Sequence, residues 1–515
     1  RMSLKPIRLG TRRSHLARAQ SEAIARRLEE LHPGLRVELI GIDTRGDQIT
    51  HIPLSQVEGK EFFTAEIDAA LLGGAVDLTV HSYKDLSLER PAALWLGAVP
   101  QRENPRDLVL FAPDVAQQLA AGLPLRIGSS SPRRAALVPP FLARALPGGA
   151  NVQLSELRGN VDSRIKRLRE PRGSERHMDG VILALAGVAR LWGDESMGGR
   201  ALLDGLLADL PRMILPLTLC PGAPAQGALA IECRADDAYV RGLLAPLDDA
   251  PTRAAVVAER ELLAARGGGC HQRLGATQRT IAGLGTLLYW REAVGEQLLE
   301  PHQEWHSATP LEAAVAPIVA WDGSRQPPQP IQVLPGAAQA CATALAAAAA
   351  TFIAHRQALP EMSAAAVNGC PHIWVPGTES WFALAERGAW VEGCAEGLGF
   401  AALAPTLAEG VLGLPPAERW LVLTHAAAAA DWKSGHVLAT YEHRAGGAVS
   451  GESPGLATHI YWHSTAQFER WRDSIGTAVH HACGPGKTAE HLRRAEVRAL
   501  QVFPSPGHWR EWLSK

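Results

Sequence analysis

Cysteine is scarce and scattered: seven residues, at 220, 233, 270, 341, 370, 394 and 483, form no CxxC pair and share no ligand spacing with histidine. An odd, dispersed set excludes a disulfide framework and a structural zinc site, and it points to a reducing compartment. Excess charge is missing too, since 51 Lys+Arg nearly cancel 53 Asp+Glu. No global field recommends nucleic acid or a membrane surface as a partner. A long apolar run is also lacking. The weakly polar stretch from Ala337 to Ala354 is mostly alanine broken by Gln339, Cys341 and Thr343, which suits an Ala-rich helix in water better than a membrane span. The opening Arg1-Met2-Ser3-Leu4-Lys5 leads into a strand pattern without the apolar run and cleavage site of a signal peptide, so a cytoplasmic location is expected.

What is present is the composition of a multidomain globular protein: 515 residues, 20% charged and 46% apolar, enough for two to four domains. Short apolar strands alternate with longer helical periods, the pattern of α/β domains. Strands are predicted at 7–10, 35–42, 76–81, 108–111, 125–128, 152–157 and 180–184. Helices are predicted from Leu16 to Leu31 and over 65–72, 114–121, 161–169 and 186–192. The segment Gln226 to Cys233 reads as a strand returning to the first sheet, and 356–371 as a linker before a last α/β unit over 372–515.

Arginines gather where strands give way to helices: Arg12 and Arg13, Arg133 and Arg134, Arg158 and Arg164, and Arg190. A single arginine there is ordinarily a solvated charge. The doublet in Ser129-Ser130-Ser131-Pro132-Arg133-Arg134 is different, because guanidinium forks at a helix start suit carboxylates or phosphates. Its recurrence in two α/β domains implies one polyanionic ligand in a cleft between them. Asp85 follows Lys84 at the end of the apolar strand, where a desolvated carboxylate beside a cation suits acid/base work or the holding of a cationic centre. Cys270 follows three glycines on a permissive loop.

Seven segments occur in order over residues 6–280: Gly10-Thr11-Arg12-Arg13-Ser14, Thr44-Arg45-Gly46-Asp47, Val80-His81-Ser82-Tyr83-Lys84-Asp85, Gly128 to Arg134, Leu157-Arg158-Gly159-Asn160-Val161, Gln226-Gly227-Ala228 and Gly268-Gly269-Cys270. Together they resemble the hydroxymethylbilane synthase family, also called porphobilinogen deaminase. The resemblance implies two doubly wound, periplasmic-binding-protein-like domains (1–105 with 218–240, and 106–217). A small α+β cofactor-bearing domain (241–355) follows, and a C-terminal α/β domain completes the chain. It implies head-to-tail joining of four porphobilinogen molecules into a linear tetrapyrrole, with loss of ammonia, on a dipyrromethane cofactor attached through Cys270. Asp85 and Lys84 match catalytic positions. Lys84, Asp85, Ser129, Arg133, Arg134, Arg158 and Gln226 match residues that hold the cofactor, and Arg12, Ser14, Arg158, Arg164, Arg190 and Phe63 match the substrate site. A monomer without metal, nucleic acid or membrane partner is expected.

Departures from the family pattern cluster in Gln56-Val57-Glu58-Gly59-Lys60-Glu61-Phe62-Phe63, where Glu58 and Glu61 add negative charge near a polyanionic product. Ser131-Pro132 and Leu86-Ser87 also differ from the usual pairs. Near the end, Ala482-Cys483-Gly484-Pro485-Gly486-Lys487-Thr488-Ala489-Glu490 and Ser505-Pro506 resemble the end of uroporphyrinogen-III synthase. This implies a partial copy of that fold over 372–515, with that synthase activity, in cis or in trans, as a candidate partner. Two rival readings are a bifunctional fusion that also makes uroporphyrinogen III and a non-catalytic polycarboxylate-binding protein.

Overall fold

The computed structural model describes residues 4–44, 64–268, 272–325, 329–444 and 453–515. Phe63, Cys270 and the altered segment 56–63 therefore lie outside the described residues. The chain falls into two compact units. The first holds residues up to 279, apart from 144–149, together with 288–303; the second holds 144–149, 280–287 and 304–515. No helix among the described residues is long and apolar enough to cross a membrane.

The first unit contains two five-stranded sheets of the same design. In one, Ile7–Arg12 lies parallel to Val37–Ile42 and to Leu78–Ser82, while Leu229–Arg234 runs antiparallel between Leu78–Ser82 and Leu94–Ala98. In the other, Leu125–Gly128 lies parallel to Val152–Ser155 and Gly180–Ala184, while Asp107–Phe111 runs antiparallel between Gly180–Ala184 and Arg212–Ile214. The chain passes between the sheets twice, at 99–106 and at 215–228. Each sheet thus takes its one internal antiparallel strand from a crossing segment. The parallel strands are buried on both faces: Leu78 to His81 and Gly180 to Leu183 are all buried, as parallel sheets covered by helices require. Helix His15–Leu31 lays Ile24, Ala25 and Leu28 on the first sheet's core beside Ile7, Leu9 and Ile231.

Helix Ala250–Ala265 follows, and then a four-stranded sheet in which Gly285–Val294 pairs with Leu274–Ile281, Gln297–Leu298 and His302–Ser307. The second unit departs from expectation. The Ala-rich helix covers Ala337–Ala347 rather than reaching 354, and the chain turns extended at Ala348 into strand Thr351–Ile353. Thr351, Phe352 and Ile353 are β-branched or aromatic and fully buried, so they prefer a strand to a continued helix. That strand lies parallel and adjacent to Ile373–Val375. Residues 356–371 therefore connect neighbouring strands of one sheet and are not a linker between domains.

Residues 304–515 build two sheets where a single domain over 372–515 was expected. The six-stranded one has the order Ile331–Val333, His436–His443, Leu421–His425, Thr351–Ile353, Ile373–Val375, Gly393–Cys394. The four-stranded one is parallel throughout, with the order Ala320–Trp321, His459–Trp462, His480–Cys483, Leu500–Val502.

Candidate active site

The carboxyl ends of the parallel strands in the first unit carry nearly every polar residue singled out from the sequence, which is where open α/β sheets bind ligands. Arg12 ends Ile7–Arg12, and Lys84 and Asp85 occupy a 3-10 turn, Tyr83–Asp85, directly after Leu78–Ser82. Ser129, Arg133 and Arg134 follow Leu125–Gly128. Arg158 and Arg164 follow Val152–Ser155, and Arg190 lies in the helix after Gly180–Ala184.

At the centre is Asp107, fully buried and not anticipated from the sequence. It accepts from Arg133 Nη1 at 2.7 Å, Arg134 Nη2 at 2.7 Å and Nε at 3.1 Å, and Gln226 Nε2 at 2.9 Å. Burial alone would raise its pKa, yet the two guanidinium groups hold it well below the usual carboxylate range. The arginine doublet therefore does not present two uncommitted forks, as the sequence suggested. Arg133 also donates to the Pro221 carbonyl, and Arg134 to that of Ile182. A signal for Asp107 existed: an acidic residue immediately before the apolar run Leu108-Val109-Leu110-Phe111, in the same domain as the doublet.

Gln226 joins the two sheets. Its amide donates to Pro105 O at 2.8 Å and to Asp107, while its Oε1 accepts from Lys84 Nζ at 3.3 Å. Next to it the chain must turn through Gly227 at φ +85, where a Cβ would lie 2.6 Å from the Glu103 carbonyl oxygen. Glycine is required there by both conformation and space. The Gly227 carbonyl accepts from Arg190 Nη2 at 2.6 Å.

Two further anchors, also missed, come from helix Ala250–Ala265. Glu259, fully buried, pairs with Arg102 through 2.5 and 2.8 Å contacts and accepts from the backbone of Ala225 and Gln278. Arg102 in turn donates to the Gln226 carbonyl. Arg260 donates to the carbonyls of Tyr83, Leu86 and Ser87 and lies 4.5 Å over the Tyr83 ring, clamping the turn that displays Lys84 and Asp85.

One expectation is corrected. Asp85 is exposed and not desolvated, because it closes a one-turn 3-10 segment beyond the carboxyl end of the sheet's central strand. Ser14 is the N-cap of helix His15–Leu31, its Oγ accepting from Ala17 N. Ser129 is buried, and its Oγ accepts from Ser131 N at 3.2 Å. In another part of the first sheet, Asp68, His81 and Glu232 bring ligand atoms within 4.8 Å of one another. Arg90 donates to both carboxylates there and supplies the positive charge itself.

The electrostatics favour anions. Lys84, Arg133, Arg134 and Arg164 face two carboxylates, Asp85 and Asp107. Burial, with Arg134 adding repulsion, pushes Arg164 down to about 10. Its Nε is buried without a hydrogen-bond partner, as is that of Arg133. Unpaired buried donors on cations are costly, and a ligand with several carboxylates relieves that cost. Lys84 is pushed down to about 8, first by burial and then by Arg134. Its charged form is thus penalised in the folded protein below about pH 8, and the penalty is relieved as the pH rises from there toward 10.5, where the unfolded lysine ionises. For anion binding the consequence is opposite: kcat/KM toward a carboxylated substrate is expected to fall above about pH 8. In Lys84→Gln that alkaline limb is expected to vanish from the pH profile.

Residues 7–242 match the family model described as porphobilinogen deaminase, dipyromethane cofactor binding domain. Porphobilinogen deaminase of Syntrophobacter fumaroxidans is 40% identical over 288 residues, covering 56% of this chain and 84% of that protein. Porphobilinogen deaminase 1 of Streptomyces avermitilis is 44% identical over 287 residues, 55% of this chain and 81% of that one. That of Roseiflexus sp. is 42% identical over 270 residues, 52% and 80%. Among solved structures, the effector binding domain of a BenM variant is 15% identical, covers 52% of this chain and 98% of that one, and has a TM-score of 0.25, too slight a likeness to carry an inference. With at least four fifths of each of these deaminases covered at 40% identity or more, the chain belongs to the porphobilinogen deaminase family.

Proposed function

We propose that the first unit is a hydroxymethylbilane synthase that joins four porphobilinogen molecules and releases one ammonia for each, on a dipyrromethane attached through Cys270. The observation that carries this reading is the surplus of buried cations at the strand ends, with the Nε atoms of Arg133 and Arg164 left without partners. Each pyrrole of the substrate and cofactor bears an acetate and a propionate, so these residues fit such a group. Dipyrromethane, when bound, supplies the pyrrole end from which the product grows.

The chain's own residues do the rest. Arg133, Arg134, Arg158 and Ser129 hold cofactor carboxylates, with Gln226 supporting them by fixing Lys84 and Asp107, while Arg12, Arg164 and Arg190 take those of the incoming porphobilinogen. Asp85, exposed beside Lys84, moves a proton at its carboxylate oxygen as the substrate amine departs. The same carboxylate faces the positive charge that departure leaves on the pyrrole. Lys84, fixed by Gln226, places a positive charge beside Asp85.

Arg164→Gln tests the reading. Removing a buried guanidinium whose Nε has no partner is expected to leave the thermal midpoint unchanged or raised. The KM for porphobilinogen is expected to rise about 10-fold or more, the equivalent of one charge-assisted hydrogen bond. An unchanged KM with a lowered midpoint would make Arg164 a structural residue and remove the support.

A further inference from the structure

The turn that displays Lys84 and Asp85 is short: a 3-10 segment, Tyr83–Asp85, closed by the backbone bond from Leu86 N to Tyr83 O at 3.2 Å. Such a segment has little rigidity of its own. Helix Ala250–Ala265 supports it from one face, on which Val256, Arg260 and Leu263 recur at helical spacing. Val256 packs with Tyr83 and Leu86 in one core cluster. Leu263 belongs to another, against which Leu88 packs. Between them Arg260 donates to the carbonyls of Tyr83 at 3.3 Å, Leu86 at 3.1 Å and Ser87 at 2.7 Å. These carbonyls bracket Lys84 and Asp85 in the chain.

The same helix leads toward Cys270. Gly268, two residues before that cysteine in the sequence, donates from its backbone to Leu263 O at 3.1 Å. At its φ of +52 a Cβ would lie 2.6 Å from Leu88 Cδ1. The helix therefore holds the turn at its start and its end, and the segment that follows the helix lies against the same Leu88. Burying a guanidinium among carbonyls costs free energy, and burial pushes Arg260 below its ordinary value. The apolar contacts of Val256 and Leu263 bring the helix to the turn without it. What the planar fork adds is direction: donors to three carbonyls fix the peptide planes from which the Lys84 and Asp85 side chains leave.

We propose that Arg260 is a positioning residue of the deaminase reaction, acting through Asp85 by fixing the turn that aims its carboxylate; the inference rests on the role proposed above for Asp85. A double-mutant cycle in the full chain tests it, with the dipyrromethane on every variant checked by intact mass. Arg260→Gln is expected to lower kcat about 10–100-fold, the effect of a misplaced reacting group. The KM for porphobilinogen is expected to change less than about 2-fold, because the carboxylate-binding arginines are untouched. Arg260→Lys, which keeps the charge without the planar fork, is expected to recover part of the loss, and it serves where the glutamine variant fails to fold. In an Asp85→Asn background the same substitutions are expected to lower kcat no more than about 2-fold further, since a residue that acts through Asp85 has nothing left to aim. Leu28→Ala, which truncates a fully buried leucine in the first sheet's core, is expected to lower the thermal midpoint while the folded protein keeps its kcat. Parental kcat in Arg260→Gln, or a loss of about 10-fold or more that persists in the Asp85→Asn background, would overturn the proposal and leave Arg260 a structural residue. A parent chain that carries no dipyrromethane and turns over no porphobilinogen would instead overturn the function on which the proposal rests.

Discussion

Asp107→Asn is expected to destabilise the first unit by roughly 3–5 kcal/mol, the usual consequence of removing one partner from a buried ion pair. Two buried guanidinium groups and the Gln226 amide share this one carboxylate, and asparagine supplies neither the charge nor a second acceptor oxygen. The folded Asp107 ionises well below the unfolded value of 3.8, so its contribution is present above about pH 4 and is lost as the pH falls through the folded pKa. Urea unfolding of the parent and variant is expected to diverge most near neutrality and to converge in acid. A midpoint within experimental error of the parent at pH 7 would show that the arginines find other partners and that Asp107 is not the centre of the site.

Asp85→Asn is expected to do the reverse. Because Asp85 is exposed, the fold loses no more than about 0.5 kcal/mol. Turnover of porphobilinogen, in contrast, is expected to fall about 10²–10⁴-fold, the range for a positioned acid/base group. The effect should appear in kcat more than in KM, since the arginines that bind carboxylates are untouched. A variant with normal kcat would remove Asp85 from the chemistry. The two variants thus separate two kinds of carboxylate: one balances charge inside the protein, the other is proposed to face the ligand.

Much of this was legible before the structure. Strand Gly180–Ala184 and the Ser129 to Arg134 turn fall where periodicity and turn residues place them, because their short buried strands and flanking helices obey local rules. What escaped was non-local. Asp107 shows its role only when the antiparallel strand sets it beside the arginine doublet, and Arg260 acts from a helix 173 to 177 residues along the chain from the turn it holds, as Glu259 does 157 residues from Arg102. The desolvation expected of Asp85 failed for a related reason: strand hydrophobicity ends at Ser82, and the 3-10 turn carries the carboxylate out of the sheet. In the second unit, alanine's high helix propensity masked the strand at Thr351, and the Gly/Pro-poor stretch 362–368 gave no sign that 356–371 bridges adjacent strands. There the pairing partner, not the segment itself, decides the structure.

The central claim is that the chain carries a covalent pyrrole primer and extends it. Intact mass of the purified protein, before and after incubation with porphobilinogen, tests it most directly. The account predicts a mass above that of the sequence by one dipyrromethane, absent in Cys270→Ser, that grows in single pyrrole steps on addition of substrate. A mass equal to the bare chain that never changes, in protein produced where porphobilinogen is available, would contradict it and leave the arginine cleft as a binding site alone.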